Sequence, residues 1–194
     1  LHVIEAVPAN KVLRWAALLH DVAKPETKTT DENGDHFYGH NEKGVELARR
    51  ILLRLKFDNA TIDRVKRLVF WHDYGMGQAM KLKTFRRGLS QMGADLFEDY
   101  VALKWADILG QSSYMQQEKL DTLATLQNYY AQIMDEKQCL SLKDLAITGK
   151  DLITELGMQP GKEIGKTLHI LLDRVLDDPS LNERDTLLDM ARQM

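Results

Sequence analysis

Apolar residues recur at three- and four-residue spacing along most of this chain, a rhythm that predicts helices rather than strands. Leu1 to Val7 reads as the tail of a helix stopped by Pro8. Asn10 then caps a helix that runs to about Lys24, where Pro25 closes it. Val45, Ala48, Ile51, Leu52 and Leu55 mark a helix from Gly39 to Lys56. Ile62, Val65, Leu68 and Val69 mark the next, which starts at Asp58 or Asn59 and ends near His72. A loop, Asp73 to Gly77, precedes a short helix from Leu82 to Met92 with Gly93 as its C-terminal cap. From Asp95 to Gly110 a helix points Leu96, Leu103, Ala106 and Leu109 inward. A longer one from Met115 to about Lys137 does so through Leu120, Leu123, Leu126, Tyr130 and Ile133.

Two places break this rhythm. Asn33-Gly34 lies between Lys28-Thr29-Thr30 and His36-Phe37-Tyr38, which predicts a hairpin of two short strands. Around Gln138 to Ser141 the apolar pattern lapses, and we place a boundary there, dividing residues 1–137 from a smaller helical subdomain over 138–194. That tail predicts a segment from Leu142 to Ala146 and helices from Thr148 to Leu156, from Lys162 to Leu176 and from Asn182 to the end. The fold class expected is all-α with one short β-hairpin, followed by the C-terminal subdomain.

Composition adds limits. The chain has 194 residues, 44% hydrophobic and 28% charged, enough for a sizeable core. A net charge of −3 excludes a globally basic nucleic-acid binder and leaves room for a local basic patch. The single cysteine, Cys139, excludes an intrachain disulfide and suits the reducing cytoplasm, where we expect the protein to act. No apolar run is long enough to span a bilayer, so no membrane partner is expected. The chain opens at Leu1 inside an expected helix and reads as a fragment of something longer.

The candidate chemistry centres on Leu13 to Pro25, an apolar run that ends in His20-Asp21, then Lys24. Burying an imidazole beside a carboxylate is costly unless both find strong partners, and a divalent metal satisfies both at once. For the dipeptide alone, a His–Asp pair at a frayed helix end, bonded to nearby backbone, is the commoner explanation. His40, next to the hairpin, His72, at a helix end, and Asp107, on an otherwise apolar helix, strengthen the metal reading when taken together. Singly they read as a residue near a helix N-terminus, a partner of a helix dipole and a solvated carboxylate.

These residues carry a resemblance. Leu13 to Pro25, Phe37-Tyr38-Gly39-His40 with Glu42 to Ala48, and Ala102 to Asp107 resemble the HD domain of metal-dependent phosphohydrolases. The version most similar is that attached to bacterial tRNA nucleotidyltransferases (CCA-adding enzymes) and poly(A) polymerase-like proteins. Ile147 to Leu152 and Pro160 to Gly165 are similar to the closing segment of the same family. The resemblance covers nearly the whole chain and implies the C-terminal portion of such a protein, without its nucleotidyltransferase head. Ala23 stands where the family often carries glycine.

The resemblance makes His20, Asp21 and Asp107 metal ligands, and His40 and His72 ligands of a second metal or phosphate-binding groups. Lys24, a helical turn past Asp21, would neutralise a substrate phosphate, or pair with Asp21. Asp21 and Lys24 are thus the catalytic candidates. HD domains use a further histidine upstream, which by this reading falls before Leu1; His2 is a poor substitute because its offset from Pro8 is wrong. Mixed imidazole and carboxylate ligation favours Mn, Fe, Co, Ni or Zn over Mg. The implied reaction is hydrolysis of a phosphomonoester or of a 2′,3′-cyclic phosphate at an RNA end. Two basic clusters, Lys83 with Arg86 and Arg87, and Lys162 with Lys166 behind Pro160-Gly161, are solvated helix faces or surfaces that hold RNA phosphates, tRNA above all. The competing function is a helical module without catalysis that positions RNA for the head.

Overall fold

The computed structural model describes residues 2–32, 34–77 and 79–194. Among the described residues the protein is mostly helical with one short antiparallel hairpin, as the apolar periodicity and the Asn-Gly turn predict. Among the described residues the order is α1 (His2–Ala6), α2 (Lys11–Leu19), α3 (Lys24–Thr27), β1 (Thr29–Asp31), β2 (Gly34–His36), α4 (His40–Arg54) and α5 (Asn59–Trp71). Then come α6 (Leu82–Met92), α7 (Phe97–Gly110), α8 (Gln116–Asp135), α9 (Gly149–Leu156), α10 (Lys162–Asp177) and α11 (Arg184–Arg192). In the hairpin Thr29 pairs with His36, Thr30 with Asp35 and Asp31 with Gly34. Leu1 and the Asn33 half of the expected Asn-Gly turn lie outside the described residues.

Two expectations need correction. The helix capped by Asn10 stops at Leu19 rather than near Lys24, and Pro25 lies inside the short α3 rather than ending α2. Proline is tolerated in a first helical turn because its missing N–H would be unpaired there anyway. The reversal over 20–23 that separates the two helices holds His20 and Asp21. Leu109, expected inward, is 41% exposed, whereas Leu96, Leu103 and Ala106 are buried.

The chain divides into two compact units, Leu1–Ala79 with Asp95–Gln127, and Met80–Ala94 with Asn128–Met194. In the first, α2 packs on α1, α5 and α7, and α4 lies along α5. Its core holds Leu13, Ala16, Leu52, Val65, Leu68, Tyr100 and Leu103. Gly44 permits the close approach of α4 to α5, since a Cβ there would sit 3.0 Å from Val69 Cγ1. In the second unit Cys139, Leu145, Ile147, Leu152, Leu171, Val175, Leu187 and Leu188 form one buried cluster.

Candidate metal centre

Three helix ends and one helix face of the first unit bring ionisable side chains together. His20 caps the C-terminus of α2 and Asp21 follows it. His40 opens α4 after Gly39, whose left-handed φ of 74° makes the turn into the helix. His72 caps α5, and Asp107 lies on the buried face of α7. Helix packing alone therefore gathers His20, Asp21, His40, His72 and Asp107.

Backbone fixes the imidazoles. His20 Nδ1 lies 2.9 Å from the carbonyl oxygen of Ala17, His40 Nδ1 2.8 Å from that of Phe37 and His72 Nδ1 2.7 Å from that of Val69. A carbonyl oxygen only accepts, so each Nδ1 bears the hydrogen and donates it. The three Nε2 atoms are the nitrogens left over, and they converge. His40 Nε2 is 3.3 Å from His72 Nε2, which is 3.4 Å from Asp21 Oδ1. His20 Nε2 is 3.4 Å from Asp21 Oδ2 and 3.3 Å from Asp107 Oδ1. Asp21 thus spans two halves, one oxygen toward the His40–His72 pair and the other toward His20.

Lone pairs facing one another at these distances repel unless positive charge lies between them. The proton affinities say the same. Burial alone would push the His20 imidazole down, but its bonds to Asp107 and Asp21 outweigh that and raise it to about 9. His72 is raised against burial by Asp21 and Asp73. Burial would lift the Asp21 carboxyl, yet His20 and His72 hold it well below the usual carboxylate range. Asp21 Oδ1 is buried and, among the described residues, accepts no hydrogen bond. An orphaned carboxylate oxygen facing imidazole nitrogens fits a cation, and Asp21, His40 and His72 form a group able to hold a metal ion. Two of the three donor separations, 3.3 and 3.4 Å, match the roughly 3.0–3.4 Å between adjacent ligands whose bonds to a metal are about 2.1 Å, and the third, His40 Nε2 to Asp21 Oδ1, is wider at 4.0 Å.

Two lysines reach the same carboxylates. Lys24 Nζ sits 2.7 Å from Asp21 Oδ2, the pairing weighed as an alternative to phosphate binding. Lys104, 3% exposed, donates to Asp107 Oδ2 at 2.8 Å and to Asp73 Oδ1 at 2.6 Å. Sequence reasoning singled out neither Lys104 nor Asp73. The signals were there: His72-Asp73 is the chain's second His-Asp pair, and Lys104 falls on the buried face of α7 with Tyr100, Leu103 and Asp107. A cleft of about 490 Å³ opens beside Asp73, between Met76, Ala79, Met115, Glu118 and Thr122, so the group is reachable from outside.

The basic clusters fall in the second unit. Arg86 is buried, donating to Gln138 Oε1 at 2.5 Å and to the Leu176 carbonyl at 2.8 Å. Arg87 binds Asp177 and Asp173, and Lys83 sits 3.0 Å from Asp177 Oδ2. Arg87 and Lys83 together hold the Asp177 carboxyl down at about 2. Lys162 is exposed at the start of α10, where Gly161 offers no side-chain cap, and Lys166 pairs at 2.6 Å with Glu163 on the surface. His2 is exposed on α1.

Comparison with known proteins places this geometry in context. Residues 40–191 match the family model described as tRNA nucleotidyltransferase domain 2, putative. An A-adding tRNA nucleotidyltransferase of Deinococcus radiodurans is 32% identical over 85% of this chain and 38% of its own length. A CC-adding tRNA nucleotidyltransferase of Thermus thermophilus is 32% identical over 82% and 35%. A multifunctional CCA protein of Thioalkalivibrio sulfidiphilus is 29% identical over 83% and 37%. The chain therefore spans little more than a third of the length of these relatives. No solved structure matches it. No helix among the described residues is long and apolar enough to cross a membrane.

Proposed function

The chain belongs to the tRNA nucleotidyltransferase domain 2 family, and from that premise we propose that it is an HD-type, metal-dependent phosphohydrolase region. It acts within a longer protein that processes tRNA 3′ ends in the cytoplasm, joined to an N-terminal nucleotidyltransferase head. The proposed substrate is a phosphomonoester or 2′,3′-cyclic phosphate, on a nucleotide or at an RNA end. The observation that carries this is the convergence of three backbone-tethered Nε2 atoms on a carboxylate with an unpaired, buried oxygen. The donor set favours Mn, Fe, Co, Ni or Zn over Mg.

His40, His72 and Asp21 Oδ1 would form one half of the site, and His20, Asp107 Oδ1 and Asp21 Oδ2 the other. A divalent ion held there supplies Lewis-acid charge and a bound water of lowered pKa. Lys24 Nζ, on the rim of Asp21, is placed to exchange its carboxylate contact for a substrate phosphate oxygen. Asp21 or Asp107 would also orient the attacking water. Residues 1–137 would carry this chemistry and 138–194 would meet tRNA, chiefly through Lys162 and Lys166 by backbone contact. Arg86 and Arg87, expected at that surface, already spend their donors within the second unit.

One observation favours a second reading. Lys24 and Lys104 neutralise the carboxylates without any ion, as they would in a helical module that only positions RNA. Metal analysis of the purified chain, with assays on 2′,3′-cyclic and 3′-phosphorylated nucleotides in Mn, Co or Ni, separates the two. Bound transition metal with metal-dependent phosphate release supports the hydrolase. Absence of both, with RNA affinity that falls steeply with salt and with Lys162→Ala plus Lys166→Ala, supports the positioning module.

A further inference from the structure

Asp73 belongs to no part of the site as predicted from the sequence, yet its geometry resembles that of Asp21. Its Oδ2 lies 3.2 Å from His72 Nε2 and 3.3 Å from His40 Nε2, facing the same pair of nitrogens that Asp21 Oδ1 faces. Its other oxygen, Oδ1, accepts from Lys104 at 2.6 Å. Asp107 repeats the arrangement: Oδ2 on Lys104 at 2.8 Å, Oδ1 on His20 Nε2 at 3.3 Å. One buried ammonium therefore holds one oxygen of each carboxylate and leaves the other aimed at an imidazole. The loop that carries Asp73 is further pinned to α7, since Tyr100 donates its hydroxyl hydrogen to the carbonyl of Tyr74 at 2.6 Å.

We propose that Asp73 is a further metal ligand in the His40–His72 half, and that Lys104 is the positioning residue presenting Asp73 and Asp107 to the two halves. This rests on the metal-dependent reading above. It deepens that reading by giving the His40–His72 half a second carboxylate beside Asp21's. Asp73 is 47% exposed, so this ligand stands at the open side of the group, beside the cleft between Met76 and Met115. A carboxylate there can also yield a coordination position to an incoming phosphate, which a fully enclosed ligand cannot.

The test titrates the metal-free chain with Co²⁺ alone, following its visible absorption and the heat of binding. Asp73→Ala is expected to weaken binding by about 10- to 100-fold and to change the absorption bands, since a ligand is lost. Lys104→Met is expected to weaken binding about tenfold with smaller spectral change, as loss of a partner outside the ligand shell does. Asp73→Ala with unchanged affinity and spectrum overturns the ligand assignment while the reading of Asp21, His40 and His72 stands. Lys104→Met that unfolds at lower temperature but binds Co²⁺ like the parent overturns the positioning role. If Lys104→Met does not fold, Asp73→Ala decides the ligand assignment and Lys104→Gln the positioning role. Failure of the parent chain to bind Co²⁺ at all overturns the metal reading and this inference with it.

Discussion

Each unit buries a cation on the apolar face of a helix, Lys104 in α7 and Arg86 in α6, and the two differ in what surrounds it. Around Arg86 donors and acceptors match: Gln138 and the Leu176 carbonyl take its hydrogens, while Arg87 and Lys83 share Asp173 and Asp177. Around Lys104 the match is incomplete: three carboxylates and three imidazoles face two ammonium groups, and among the described residues Asp21 Oδ1 takes no hydrogen bond. Charge density does not tell these clusters apart. A buried carboxylate oxygen left without a donor does, because it suits a cation from outside the chain.

Substitutions can break this contrast from either side. The largest effect is expected from Asp21→Asn, which removes the charge spanning both halves and should weaken Co²⁺ or Mn²⁺ binding by at least ~100-fold, about 3 kcal/mol. Calorimetric titration measures it, and parent-like affinity would remove Asp21 from the site. Arg86→Met is the opposite case. It strands the Leu176 carbonyl and Gln138, so urea unfolding should show a loss of about 2–3 kcal/mol, while metal affinity of the folded protein stays unchanged.

A third prediction uses pH on the chelated protein. His20 is raised in the folded state to about 9 from 6.5. A group raised on folding contributes its full stability below its unfolded value and loses that contribution as pH climbs through the folded one. Between pH 7 and pH 9 the metal-free chain should therefore lose about 2 kcal/mol of unfolding free energy, read from urea titrations. Metal affinity should rise over the same window as the competing proton leaves. The smallest effect sharpens the comparison by leaving both clusters alone: Asn10→Ala deletes the cap that accepts from Val12 and Leu13 N–H, costing about 1 kcal/mol in thermal unfolding with unaltered metal binding.

Much of this architecture can be read from the sequence because apolar spacing reports helix faces directly. The bounds of α5 and α6 and the caps Asp58, His72 and Gly93 follow from it almost to the residue. The stop at Leu19 does not, since a proline serves equally as the end of one helix or the first turn of the next. For the site, the residue types are visible but their meeting depends on α2, α4, α5 and α7 packing together, which no local pattern encodes. Asp73 escapes because it reads as a loop polar residue. Arg86 and Lys104 share a different cause. Each falls on an apolar stripe, Arg86 with Leu82, Phe85 and Leu89, where a long cation passes for surface unless its position in the period is weighed.

The three carbonyls that hold His20, His40 and His72 have one further consequence. Each imidazole is tied to the backbone three residues before it, so its rotamer and tautomer are settled as the helix end forms. A ligand arriving there finds side chains whose torsional freedom is already gone, and little ordering entropy opposes its binding. Affinity at such a centre is then tuned by the stability of helix termini. A substitution that frays the C-terminal turn of α2 or α5 would loosen the centre without touching any atom that faces it.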